Sequence, residues 1–126
     1  MTTRRILIVD DEDDIREVAQ VSLEMVAGWE VLTASSGPNG MAIANANKPD
    51  AILLDVMMPD MDGPTTFQKL QADPAIRQIP VIFLTAKLQA ADRRRFAEMG
   101  VAGVLAKPFD PLKLAGQVSE VLQWST

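Results

Sequence analysis

Short aliphatic runs alternate with longer segments whose apolar residues recur at helical spacing. Ile6-Leu7-Ile8-Val9 is unbroken and stops at Asp10-Asp11-Glu12-Asp13-Asp14. A run of that kind reads as a strand buried on both faces. Asp13 or Asp14 suits a helix N-cap, where the helix end carries partial positive charge. Ile15, Val18, Ala19, Ser22, Leu23 and Val26 then mark the inward face of a first helix, which Gly28 stops. Glu30–Ala34 predicts a second strand. Ser35-Ser36-Gly37-Pro38 reads as a loop and helix start, and Gly40–Ala46 predicts a small-residue helix, broken by Asn47-Lys48-Pro49-Asp50. Ala51–Leu54 is the third strand, and Gly63 or Pro64 opens a helix with Phe67 and Leu70 inward. Pro80–Leu84 is the fourth strand, followed by a helix over about Ala90–Met99 with Gly100 as its stop. Gly103–Ala106 is the fifth strand, and a last helix from about Leu112 carries Leu114, Val118, Val121 and Leu122 on one side.

Five strand–helix pairs in strict alternation predict an α/β fold, a parallel five-stranded sheet with helices on both faces. Neither a linker nor a repeat interrupts the pattern, so residues 1–126 are expected to form a single domain. The strands end at informative residues: Asp10 and Asp11 after the first, Asp55 after the third, Thr85 after the fourth and Lys107 after the fifth. Open parallel sheets bind ligands at the carboxyl ends of their strands, where strand order reverses. With the order 2-1-3-4-5, Asp10, Asp11 and Asp55 would meet at that point.

Composition narrows the classes. The 126 residues carry a net charge of −5, which argues against a nucleic-acid-binding surface. Cysteine is absent, which excludes disulfides and thiol chemistry. Histidine is absent too, so no imidazole serves as base, metal ligand or phosphate carrier. No apolar run approaches a membrane span, and Met1–Arg5 leads too soon into Asp10 for a secretory signal. A cytoplasmic location with no membrane partner is expected.

Three carboxylates brought together repel one another unless a cation neutralises them. Oxygen ligands with room for water suit Mg²⁺. Lys107 adds a point charge and Thr85 a hydroxyl. Cation, ammonium and hydroxyl together match what a transferring phosphoryl group needs, since its charge is spread over three oxygens. A carboxylate can itself be the acceptor. Asp55, the single acidic residue ending the central strand, is the candidate.

Val9-Asp10-Asp11, Asp55-Val56-Met57-Met58-Pro59, Asp62-Gly63, Leu84-Thr85-Ala86 and Lys107-Pro108-Phe109 together resemble the receiver domain of two-component response regulators, over essentially the whole chain. The resemblance implies a flavodoxin-like (βα)₅ fold, of the chemotaxis-regulator type, and a stand-alone receiver. It implies that Asp55 takes a phosphoryl group from the phosphohistidine of a sensor kinase or a histidine phosphotransfer protein. It implies Mg²⁺ on the carboxylates of Asp11 and Asp55 and the Met57 backbone carbonyl, with Asp10 acting partly through water, phosphate oxygens on Thr85 and Lys107, and a cis Lys107–Pro108 peptide. The implied output is a shifted surface of the fourth helix, fifth strand and fifth helix, read by a downstream protein or used for homodimerisation. Such a module catalyses only its own phosphorylation and dephosphorylation and is not otherwise an enzyme. A phosphorelay intermediate, or a fragment of a longer regulator, is the alternative within the same family.

This chain departs from the family pattern in one respect. The family's aromatic switch residue, three positions before the lysine, is replaced by Val104, and the chain has no Tyr. Met57 and Lys87 flank the approach of an attacking water and offer no carboxylate or amide to orient it, so slow self-hydrolysis is expected. Arg93-Arg94-Arg95 reads as a solvated face, with a partner surface as the sharper alternative. The methionines read as core and rim filling, and Trp29 and Trp124 as packing residues. An aspartyl-phosphate hydrolase would carry a second Asp two after the nucleophile, where Met57 and Glu12 stand. A dinucleotide-binding domain would need a Gly-rich turn after the first strand.

Overall fold

The computed structural model describes residues 3–86 and 89–124. Its strands are β1 (Arg5–Val9), β2 (Glu30–Ala34), β3 (Ala51–Asp55), β4 (Val81–Thr85) and β5 (Gly103–Ala106). Its helices are α1 (Asp13–Ala27), α2 (Gly37–Asn47), α3 (Gly63–Ala72), α4 (Ala90–Met99) and α5 (Leu114–Leu122). The strands are all parallel, in the order β2-β1-β3-β4-β5. This is the expected doubly wound α/β architecture, with the order reversing between β1 and β3.

Strand alternation sends side chains into two cores. Leu7, Val9, Ile52, Leu54, Val81 and Phe83 face one side, under Ala44 of α2, Phe67 and Leu70 of α3 and Phe96 of α4. Ile6, Ile8, Leu53, Ile82 and Leu84 face the other, under Ala19 and Leu23 of α1 and Leu114 and Val118 of α5. The first core is braced by edge-to-face contacts, Phe67 to Phe83 at 5.9 Å and Phe83 to Phe96 at 4.9 Å between ring centres. Such pairs contribute about 0.5–1.5 kcal/mol each beyond their buried area. The two tryptophans pack as expected, edge-to-face at 5.3 Å, with the Arg4 guanidinium over Trp124 at 4.2 Å.

Several boundaries differ from the sequence reading. The N-cap of α1 is Glu12, not Asp13 or Asp14, and its side chain makes no capping bond. The second helix starts where Ser35-Ser36-Gly37-Pro38 placed it, with Ser36 accepting from the Asn39 N–H and Pro38 in the first turn. The last helix starts two residues late, because Asp110 first organises a turn through the N–H of Leu112 and of Lys113. The larger correction concerns α1. Only Ala19, Ser22 and Leu23 are buried, whereas Val18 and Val26 are 43% and 50% exposed, alongside Val21 and Met25. The methionines divide: Met58 fills core, whereas Met25 and Met57 are 80% and 62% exposed.

Candidate functional site

The site is built by the ends of β1, β3, β4 and β5. β1 delivers Asp10 and β3 delivers Asp55, both buried at the sheet's carboxyl edge. Carboxylate oxygens of Asp10, Asp11 and Asp55 all lie within 4.8 Å of one another. The turn after Asp55 is held in place by its own backbone. Val56 N–H donates to Leu84 O at 3.0 Å, and Gly63 N–H donates to Val56 O at 2.9 Å. Gly63 is required there by close approach: a Cβ would sit 2.5 Å from the Asp55 carbonyl oxygen and 2.8 Å from the Val56 Cα. Asp62 caps α3 by accepting from Thr65 N–H at 2.8 Å. Met57 N–H donates weakly to Asp55 Oδ1 at 3.4 Å, which orients the carboxylate.

Lys107 follows β5 and is tied to β4 by its N–H donating to Thr85 O at 2.9 Å. The Lys107–Pro108 peptide is cis, as the family resemblance implies. The Lys107 ammonium, 8% exposed, lies 2.9 Å from Asp10 Oδ2, 3.2 Å from Asp55 Oδ1 and 3.4 Å from Glu12 Oε1. Thr85 is buried as the last residue of β4, next to Asp55's strand. Asp55, Met57, Ala86, Lys107 and Glu12 line an open pocket of about 280 Å³. The structure thus brings together Asp10, Asp11, Asp55 and Lys107, with Thr85 and Met57 at the adjoining strand end and rim. Lys87 lies outside the described residues.

The electrostatics are those of an overcrowded anionic site. Burial pushes the Asp55 carboxyl up to about 6, the Asp10 charge adds to this, and Lys107 opposes it. Burial also works against the Lys107 ammonium, but Asp10 and Asp55 outweigh it and hold Lys107 above its ordinary value. One ammonium cannot balance three carboxylates. The donors are all oxygen, two of them buried, and they face a pocket open to water, which fits a hard divalent cation such as Mg²⁺.

Two neighbours were not singled out from the sequence. Arg16 donates from Nη1 to the Asp10 carbonyl at 2.8 Å and pairs with Asp13, fixing the acidic loop. Its signal was its place: a cation in the first turn of a helix opposes the helix dipole and implies a local partner. Glu12 reaches Lys107, and its signal was only membership of the acidic run. Val104 packs, partly buried, against the core that holds Phe83 and Phe96. Arg93, Arg94 and Arg95 are exposed on α4, with Arg95 3.9 Å from Asp92 and stacked near Phe96 at 4.9 Å.

Among curated relatives, the response regulator PleD of Caulobacter vibrioides is 43% identical over 95% of this chain and 26% of its own length. The phosphate regulon transcriptional regulatory protein PhoB of Pseudomonas aeruginosa is 40% identical over 98% of this chain and 53% of its own. The chain therefore spans about a quarter to a half of the length of these relatives. Among solved structures, the chemotaxis response regulator CheY4 of Vibrio cholerae superposes with a TM-score of 0.88 at 31% identity, covering 95% of this chain and 99% of that one. A response regulator of Chloroflexus aurantiacus gives 0.86 at 34% identity, over 97% and 99%. Residues 6–119 match the family described as the response regulator receiver domain, and by that match the chain belongs to it.

Proposed function

We propose that this chain is a phosphorylation-controlled switch in which Asp55 accepts the phosphoryl group. The observation that carries the reading is the contact set of Asp55: a buried carboxylate, raised in pKa, 3.2 Å from the Lys107 ammonium and within 4.8 Å of two further carboxylates, at the floor of an open pocket. A merely structural Asp would be expected to sit in a balanced ion pair.

Histidine is absent from the chain, so the donor imidazole comes from a partner, a sensor kinase or a histidine phosphotransfer protein. An Asp55 oxygen attacks phosphorus in line while the imidazole nitrogen leaves. Lys107 and the Thr85 hydroxyl stabilise the charge on the phosphoryl oxygens. Mg²⁺, held by Asp10, Asp11, Asp55 and the Met57 backbone carbonyl, would supply the remaining positive charge. Lys107 then donates to the new phosphate. Thr85 follows, and its move shifts the end of β4 and the loop leading to α4. A downstream protein that binds the shifted α4–β5–α5 surface more tightly draws the population towards it. With Val104 in place of an aromatic, packing of α4 on Phe83 carries the change without an aromatic rotation. Water later hydrolyses the acyl phosphate, slowly, since Met57 cannot orient it. The chain thus acts on its own phosphorylation rather than as an enzyme for a separate substrate, and works in the cytoplasm beside its donor.

Incubating the protein with acetyl phosphate and Mg²⁺ and weighing it intact tests the reading. Wild type is expected to gain one phosphoryl mass, and Asp55→Ala none.

A further inference from the structure

The Lys107 ammonium has three N–H groups, and each faces a carboxylate. Asp10 and Asp55 are enclosed, at 0% and 3% side-chain exposure, whereas Glu12 is 61% exposed. An incoming phosphoryl oxygen needs one of these donors. Releasing Asp10 would strand a buried charge, which is costly. Glu12 is already mostly hydrated and can swing away into water.

Glu12 also lines the pocket that gives access to Asp55. Its charge therefore stands in the mouth through which a phosphodonor must pass. Arg16 does not cancel it, being engaged with Asp13 and the Asp10 carbonyl.

We propose that Glu12 is a positioning residue that gates Asp55 against small anionic phosphodonors, by occupying the third donor of Lys107 and by repelling the anion at the pocket mouth. The proposal rests on Asp55 being the phosphoacceptor. With acetyl phosphate, an Asp55 oxygen forms the new bond to phosphorus, the bond from phosphorus to the acetate oxygen breaks, and its electron pair departs with acetate. No redox partner is involved. Glu12 slows this reaction at the stage of anion entry and lysine release. A protein donor offsets the same repulsion with contacts outside the pocket.

The test is the initial rate of adduct formation from acetyl phosphate, at saturating Mg²⁺, across a salt series. Glu12→Gln keeps the side chain's shape and removes its charge. It is expected to raise the second-order rate roughly three- to tenfold at low salt, chiefly through KM, with the gain shrinking as salt screens the mouth. Glu12→Asp, which keeps the charge, stays closer to wild type. A Glu12→Gln rate equal to or below wild type overturns the proposal, as does a gain that ignores salt, since a structural role would not depend on screening. Adduct on wild type with no change in Glu12→Gln defeats the gate alone. Absence of adduct on wild type defeats the phosphoacceptor reading and the gate with it.

Discussion

Replacing Asp55 by Asn should make the metal-free protein more stable, although it abolishes the proposed activity. The folded chain holds the Asp55 carboxyl at about 6 against an ordinary value of 3.8, chiefly by burial and secondarily by the Asp10 charge. At about 1.4 kcal/mol per tenfold change in acidity, the ionised form costs the fold about 3 kcal/mol at pH 7.5. Because the folded-state value is the higher one, folding favours the protonated acid. That contribution is fully present below pH 3.8 and is lost as pH rises through about 6. Asp55→Asn removes the ionisation and should recover most of the loss, about 2–3 kcal/mol at pH 7.5. The gain should fall steadily towards pH 4.5. Urea titrations at a series of pH values, without Mg²⁺, measure it as a shift in midpoint at constant slope. Equal or lower stability of Asp55→Asn at pH 7.5 would refute the electrostatic account. A gain of the same size at every pH would refute it as well.

Lys107→Ala leaves buried Asp10 and Asp55 without the ammonium at 2.9 and 3.2 Å; it should cost about 3 kcal/mol in guanidinium titrations and raise the Asp55 carboxyl further, as read by carbon-detected NMR. Mg²⁺ should stabilise wild type by roughly 2.7 kcal/mol at a hundredfold excess over its Kd, read as a melting temperature that rises with concentration; most of that should vanish in Asp11→Ala, and an equal rise in both proteins would remove Asp11 from the ligand set. Gly63→Ala should cost about 2 kcal/mol or more, because its Cβ meets the Asp55 carbonyl oxygen at 2.5 Å; a neutral thermal scan would show that the loop yields.

The legible part of this molecule is what depends on short range. Each aliphatic run became a strand, and each strand-end residue landed at the carboxyl edge of the sheet, because alternation leaves a parallel sheet little choice. Asp10, Asp55 and Lys107 were found because a charge at the end of a buried strand has few uses. The first helix shows where periodicity stops being informative. Its apolar residues wrap well beyond the stripe that Ala19 and Leu23 present to the sheet, so Val18 and Val26 looked inward and are not. Exposure there depends on how far α5 and the turn at Leu112 reach across, which no local pattern encodes. Glu12 and Arg16 are not legible as site residues for a similar reason. Their partners, Lys107 Nζ and the Asp10 carbonyl, are fixed by the fold and by side-chain reach, and both residues otherwise pass as ordinary helix-end charges.

A phosphoryl group taken up by Asp55 would be held as an acyl phosphate. Borohydride reduces an acyl phosphate to an alcohol and leaves free carboxylates untouched, so phosphorylated protein can be trapped, digested and mapped by tandem mass spectrometry. Homoserine is expected at position 55 only after treatment with both phosphodonor and Mg²⁺. Homoserine at Asp10, Asp11 or Asp60 instead, or label that survives in Asp55→Ala, would contradict it.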